Sequence, residues 1–207
     1  MKGMLLKDLY MMRAYCKSYL LIVVVFLAAS FVGGNVFFIY YPCLLGGMIP
    51  VSLLAYDERS RFIQYSASLP VSRAELVSEK YLIGLLSQVA ALLLTGLVQG
   101  IRMGVNGTFS AGGFAVTLLS LLLVSLLASA IPLPLIFKNG VEKGRLAYYV
   151  MIGIVCGAGI LFSEAFGGRW PIDAHAGVLL ALLTVGGVGL YVLSWYLSVV
   201  FYRKRDL

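Results

Sequence analysis

The chain has 207 residues, of which 61% are hydrophobic and 12% charged, about half the charged share of an ordinary soluble domain. A water-soluble fold of this size has too little polar surface to cover that much apolar area, so the composition excludes a soluble enzyme and points to a bilayer-embedded bundle. The formal net charge of +7 falls between apolar runs, where lipid headgroups lie, and is expected to serve topology and anionic-lipid contact, not nucleic acid.

Residues 1–17 read as an amphipathic helix, with Leu5, Leu9, Met12 and Cys16 on one face and Lys7, Arg13 and Lys17 largely opposite. Such a segment suits the membrane interface, and equally a basic flank for the first span. From Ser18 to Tyr56 no residue is charged. One span needs about 20 residues, so this run predicts two, near 18–33 and 36–56, divided at Gly33-Gly34-Asn35. Pro42 and Pro50 predict a kink in the second. Ala28-Ala29-Ser30 also fits a signal-peptide cleavage site, but the basic preamble is long for a signal and retention of the first helix is expected.

Further spans are predicted near 81–101, 114–136 (with Pro132 and Pro134 at its end), 146–163 and 178–201. The expected fold is an all-α integral membrane bundle of six transmembrane helices, with residues 1–207 forming a single transmembrane domain. Segments 1–17, 57–80, 138–145 and 203–207 hold 14 of the 16 Lys and Arg residues. Basic residues stay on the cytoplasmic side, so both ends and these loops are expected in the cytoplasm.

The expected spans contain no Asp, Glu, Lys, Arg or His, which argues against an ion-coupled carrier. The single His175 falls in the loop 164–177 and cannot supply a zinc-protease site. Cys16, Cys43 and Cys156 are far apart and read as free thiols, so no metal site is expected. No G-x-x-x-x-G-K-[ST] phosphate loop is present. Any ATP hydrolysis must come from another chain.

The longest polar stretch is 57–80. Asp57 and Glu58 suit the N-terminus of a short helix, where the dipole favours negative charge. Arg61, Tyr65 and Ser68 would share one face of it, and Leu69-Pro70 would end it. Ser72-Arg73-Ala74-Glu75 then reads as a capping box that starts the next helix at Arg73.

Three stretches carry a resemblance: Leu5-Leu6-Lys7-Asp8-Leu9; Ser68-Leu69-Pro70-Val71-Ser72-Arg73 with Glu75, Val77, Lys80 and Tyr81; and Pro132 and Pro134 followed by Phe137-Lys138-Asn139-Gly140-Val141-Glu142-Lys143-Gly144-Arg145. In this order they resemble the type-two permease family of ABC transporters, and more narrowly the small six-span bacterial permeases that include the phenol-soluble-modulin exporter subunits. The resemblance implies a coupling helix between spans two and three that docks in an ATPase groove, here through Glu58, Arg59, Arg61, Phe62 and Tyr65. It implies a second contact through Lys138, Glu142 and Lys143. It implies two ABC ATPase subunits carrying ATP and Mg, a second permease subunit of the same or another kind, and a place in the bacterial cytoplasmic membrane. Spans two and five would line the path, with Tyr40, Tyr41, Tyr148, Tyr149 and Met151 as candidate lining groups. Amphipathic cargo such as peptide toxins or antimicrobial peptides is expected. An ATP-independent channel or carrier, and a non-transport assembly or immunity factor, are the rival readings.

Overall fold

The structure, a computed structural model, describes residues 2–15, 17–33, 36–66, 72–165 and 174–204. Among them there are helices and no strand. In chain order these are α1 (Lys2–Tyr15), α2 (Lys17–Gly33), α3 (Val36–Arg59), α4 (Phe62–Ser66), α5 (Arg73–Val105), α6 (Ala111–Ala130), α7 (Pro132–Asn139), α8 (Val141–Ala165) and α9 (Ala174–Lys204).

By length and hydropathy, α3, α5, the α6–α7 pair and α9 can each cross a membrane. The α1–α2 pair, bent by 62°, would make a fifth crossing if it forms one span. Alone, α2 has 17 residues, at the lower end of the roughly 17–25 that a bilayer core requires. The boundary expected after residue 17 lies close to the observed one between α1 and α2. α9 starts earlier than expected, so His175 belongs to its first turn and not to a loop. The Trp170-Pro171-Asp173 stretch lies outside the described residues, as do 67–71 with Ser68, Leu69 and Pro70.

α3 is the hub. It packs against α2, α5, α6 and α8, and Leu44, Met48, Val51 and Leu54 join the main core cluster with Leu133, Ile136, Phe137 and Tyr148. Two glycines set the distances. A Cβ on Gly47 would sit 2.6 Å from the Ala128 Cβ and 2.9 Å from Ala128 backbone atoms, so α3 and α6 touch closely there. A Cβ on Gly84 would meet the Pro50 ring at 3.2 Å. Small residues at such crossings let helix backbones approach where burial from water cannot drive association.

α3 stays helical through both Pro42 and Pro50. Proline has no N–H for the carbonyl four residues back, and lipid supplies no substitute donor. The Gly46 carbonyl, left by Pro50, accepts from the Ser87 hydroxyl of α5 at 3.0 Å. The same remedy recurs at Pro134, where the Ala130 carbonyl accepts from the Ser194 hydroxyl of α9 at 2.6 Å. That serine also bonds the Tyr81 hydroxyl, 2.6 Å away. The breaks at Pro50 and Pro134 are thereby stitched to neighbouring helices.

Candidate functional site: the basic end of the bundle

The basic segments converge at one end of the molecule. Lys7 of α1 bonds Asp57 of α3 at 2.8 Å. Lys80 of α5 pairs with Asp57 at 2.6 Å and with Asp8 of α1. Lys7 also lies 3.1 Å from Asp8. Glu58 accepts from the Val141 N–H at the start of α8, 3.1 Å away. The Arg73 guanidinium donates to the Arg203 carbonyl at 2.9 Å, closing the last turn of α9. Lys138 stands over the Phe201 ring, 5.2 Å from its centre. Arg102 is near the far end of α5, a helix of 33 residues, or about 50 Å.

Asp8, Asp57 and Lys80 are almost wholly buried, with exposures of 0%, 3% and 3%. Charges withdrawn from water cost several kcal/mol each unless paired, and here two cations face two carboxylates. Beside them Glu79 is 1% exposed, and neither of its oxygens has a hydrogen-bond partner among the described residues. Sequence reasoning missed this knot. Its signal was present: Asp8 sits in an otherwise apolar and basic helix, and Lys80 borders a long apolar run. Charges placed there need a partner nearby.

Two expectations need correction. Asp57 and Glu58 do not open a short helix; they close α3, which runs to Arg59. The dipole disfavours acids at that end, and Lys7, Lys80 and the α8 N-terminus compensate. On α1 the buried face is a mixed one, and the interfacial placement expected for its face of Leu5, Leu9 and Met12 is not overturned by it. Met4 and Asp8 are buried, while Leu9 is exposed, because the Lys80 ammonium holds Asp8 inside. In addition, Arg61 precedes α4 and does not share a face with it: its φ is +53°, the left-handed conformation that reverses the chain between α3 and α4.

Among the residues expected to dock an ATPase, Arg59, Arg61, Tyr65, Lys138, Glu142 and Lys143 are exposed at this end. Phe62 is half-buried beneath Lys7, whose ammonium stands 3.7 Å from the ring centre. Phe62 and Glu58 also line a small pocket with Leu76, Ile136, Phe137 and Tyr202, which joins the α3–α4 turn to the α7–α8 turn. The capping box forms as expected. The Ser72 hydroxyl accepts from the Glu75 N–H at 3.2 Å, and the Ser72 N–H donates to the Glu75 carboxylate at 2.9 Å. These donors hold the exposed Glu75 carboxyl, ahead of the apolar part of α5, below its usual range.

The five candidate path residues do not share one surface. Tyr148 and Met151 are buried, and Tyr148 donates to the Leu44 carbonyl. Tyr40 and Ser120 share a hydrogen bond of 2.7 Å, and Tyr41 stacks on Phe26. Tyr149 is 60% exposed. Cys43 is a buried free thiol. No group of His, Cys, Asp and Glu among the described residues is placed to hold a metal.

Long apolar helices joined by hydroxyl bonds, with most of their described charges gathered at one end, define a multi-pass helical membrane protein. Over residues 3–203 the chain matches the family described as ABC-2 family transporter protein, and it belongs to that family. No curated protein and no solved structure matches it.

Proposed function

We propose that this chain is the membrane-spanning permease subunit of an ATP-binding-cassette exporter in the bacterial cytoplasmic membrane. It spans the bilayer six times, with α2 and α8 completing the set, α1 lying at the interface and both termini in the cytoplasm. It pairs with a second permease and with two copies of a separate ATPase that binds ATP and Mg. Its cargo is amphipathic, with peptide toxins or antimicrobial peptides favoured by apolar helices that carry only hydroxyls and a few amides.

The observation that carries this reading is the meeting of two turns at the basic end. The α3–α4 turn and the α7–α8 turn are tied together by Glu58 and Val141. Around them lie exposed Arg59, Arg61, Tyr65, Lys138, Glu142 and Lys143. Arginine and tyrosine flanked by charges are the usual composition of an interface hot spot. Glu58 and Phe62 transmit motion from that surface into the bundle, because both are bound to other helices. A left-handed, non-glycine Arg61 in the turn stores strain of the kind found in switch regions.

The test separates docking from folding. Arg59→Glu/Tyr65→Ala and Lys138→Glu/Lys143→Glu alter exposed side chains only. Each double variant is expected to reach the membrane at normal level and to lose both co-purification of the ATPase and export of cargo. Full ATPase binding and full export in both variants would favour an ATP-independent carrier or a non-transport role.

A further inference from the structure

A cavity of about 460 Å³ lies between α1, α2, α3 and α5, within the size range of small-molecule sites. Leu9, Leu20, Leu45, Ile49 and Leu94 are among its walls, and Arg13 stands on its lining. Leu9, Leu20 and Leu94 are exposed, so the cavity opens on the outside of the bundle. On α3 it reaches from Ile49 to Pro42, and on α5 from Ser87 to Leu94. Each is a rise of about 10 Å, shorter than the roughly 15 Å of hydrocarbon in one leaflet.

We propose that this cavity holds an acyl chain of one anionic phospholipid, with Arg13 on its headgroup. Three observations select that occupant. The hydroxyls on the bundle side of the wall are already used: that of Ser87 donates to the Gly46 and Gly84 carbonyls, and that of Tyr19 bonds Ser52 at 2.9 Å, while Tyr10 on α1 is exposed. A peptide segment would bring a run of N–H and C=O groups, of which Arg13 and Tyr10 can satisfy only those at the α1 side, and the rest would lie unpaired away from water. An acyl chain makes no such demand. The cation is unspent: Arg13 has no ion pair or hydrogen bond among the described residues, whereas Lys7, two turns earlier on the same helix, has two carboxylates. A guanidinium beside an apolar slot at the end where the other basic residues gather selects a phosphate with a net negative charge over a zwitterionic headgroup. The lipid then fills the space between α1 and the bundle that no described side chain occupies, and sets how α1 lies against α3 and α5.

This rests on the membrane placement of the helices and not on the exporter reading, so an ATPase-free preparation tests it. The full chain is purified in mild detergent and incubated with phosphatidylglycerol or with phosphatidylcholine of the same acyl chains, and bound lipid is counted by native mass spectrometry. The wild-type protein is expected to retain phosphatidylglycerol in preference. Arg13→Ala should reduce that retention about fivefold, to the level of phosphatidylcholine, and Arg13→Lys should restore most of it. Ala90→Phe, which fills the cavity from the exposed side of α5, should reduce retention of both lipids. Equal retention of the two lipids by wild type overturns the proposal, as does phosphatidylglycerol retention unchanged in both Arg13→Ala and Ala90→Phe. Displacement of the lipid by an added amphipathic peptide, lost in Ala90→Phe, also overturns it and makes the cavity a cargo site.

Discussion

The basic end and the bundle interior hold helices together by different means. At the basic end α1, α3 and α5 are joined by buried ion pairs among Lys7, Asp8, Asp57 and Lys80. In the interior, hydroxyls do the joining: Ser87 on Gly46, Ser194 on Ala130, and Tyr81 between Ser194 and Ser198. Ion pairs are strong when intact, but removal of one partner strands a buried charge. Hydroxyl bonds are individually weak, and losing one leaves a single carbonyl short of a donor. The first arrangement suits a junction that must hold or release as a unit, the second a wall that tolerates small errors.

The comparison is broken most severely at Lys80. Lys80→Ala leaves Asp8 and Asp57 buried with Lys7 alone, and should cost about 3–5 kcal/mol. Thermal melts in detergent would show a large loss of stability, and limited proteolysis should then cut within α1. Glu79→Gln is the control, since it removes a buried carboxylate beside the knot for which no geometric hydrogen bond is found among the described residues. It should leave the melting temperature unchanged or raise it. A neutral Lys80→Ala would mean that the pairs add nothing.

Gly47→Ala comes next and strikes the interior. Its Cβ would fall within 3 Å of Ala128 backbone atoms, so α3 and α6 must separate, at about 1–3 kcal/mol. A double variant with Ala128→Gly should not recover the loss, because two of the three close contacts are to backbone. Full recovery in detergent melts would show that the side chain alone sets the spacing.

Ser72→Ala is expected to weaken the start of α5 by about 0.5–2 kcal/mol, with insertion intact. The partnered Glu75 carboxyl is held below its ordinary range, so its contribution is complete at neutral pH. It is lost as pH falls through that lowered value. Amide exchange in residues 73–76 should therefore rise on acidification in wild type and change less in Glu75→Gln. An identical pH profile in the two would remove the cap from the account.

The smallest effect is assigned to Ser194→Ala, which removes one donor from the Ala130 carbonyl. Hydrogen bonds between membrane helices average about 0.6 kcal/mol, so the melt should shift slightly. Tyr81 keeps its bond to Ser198, 2.7 Å away. A loss as large as that from Lys80→Ala would erase the distinction between the two regions.

Much of the helical outline was determined by sequence alone. Apolar runs long enough for a bilayer, Gly33-Gly34-Asn35 between two of them, and Ser72 with Glu75 at the start of α5 are local signals. Period and capping depend on near neighbours in the chain, so a linear reading recovers them. The clustering of the basic segments was likewise implied by their spacing. Tertiary structure alone decided which charges face each other. Asp8 and Lys80 are 72 positions apart, and Glu58 and Val141 are 83 apart. A lone Asp8 among apolar and basic residues shows that a partner is needed but not which one, because burial depends on the helix brought against it. The same holds for Pro50 and Pro134: the sequence shows a missing donor, but only the packing of α5 and α9 determines which serine replaces it.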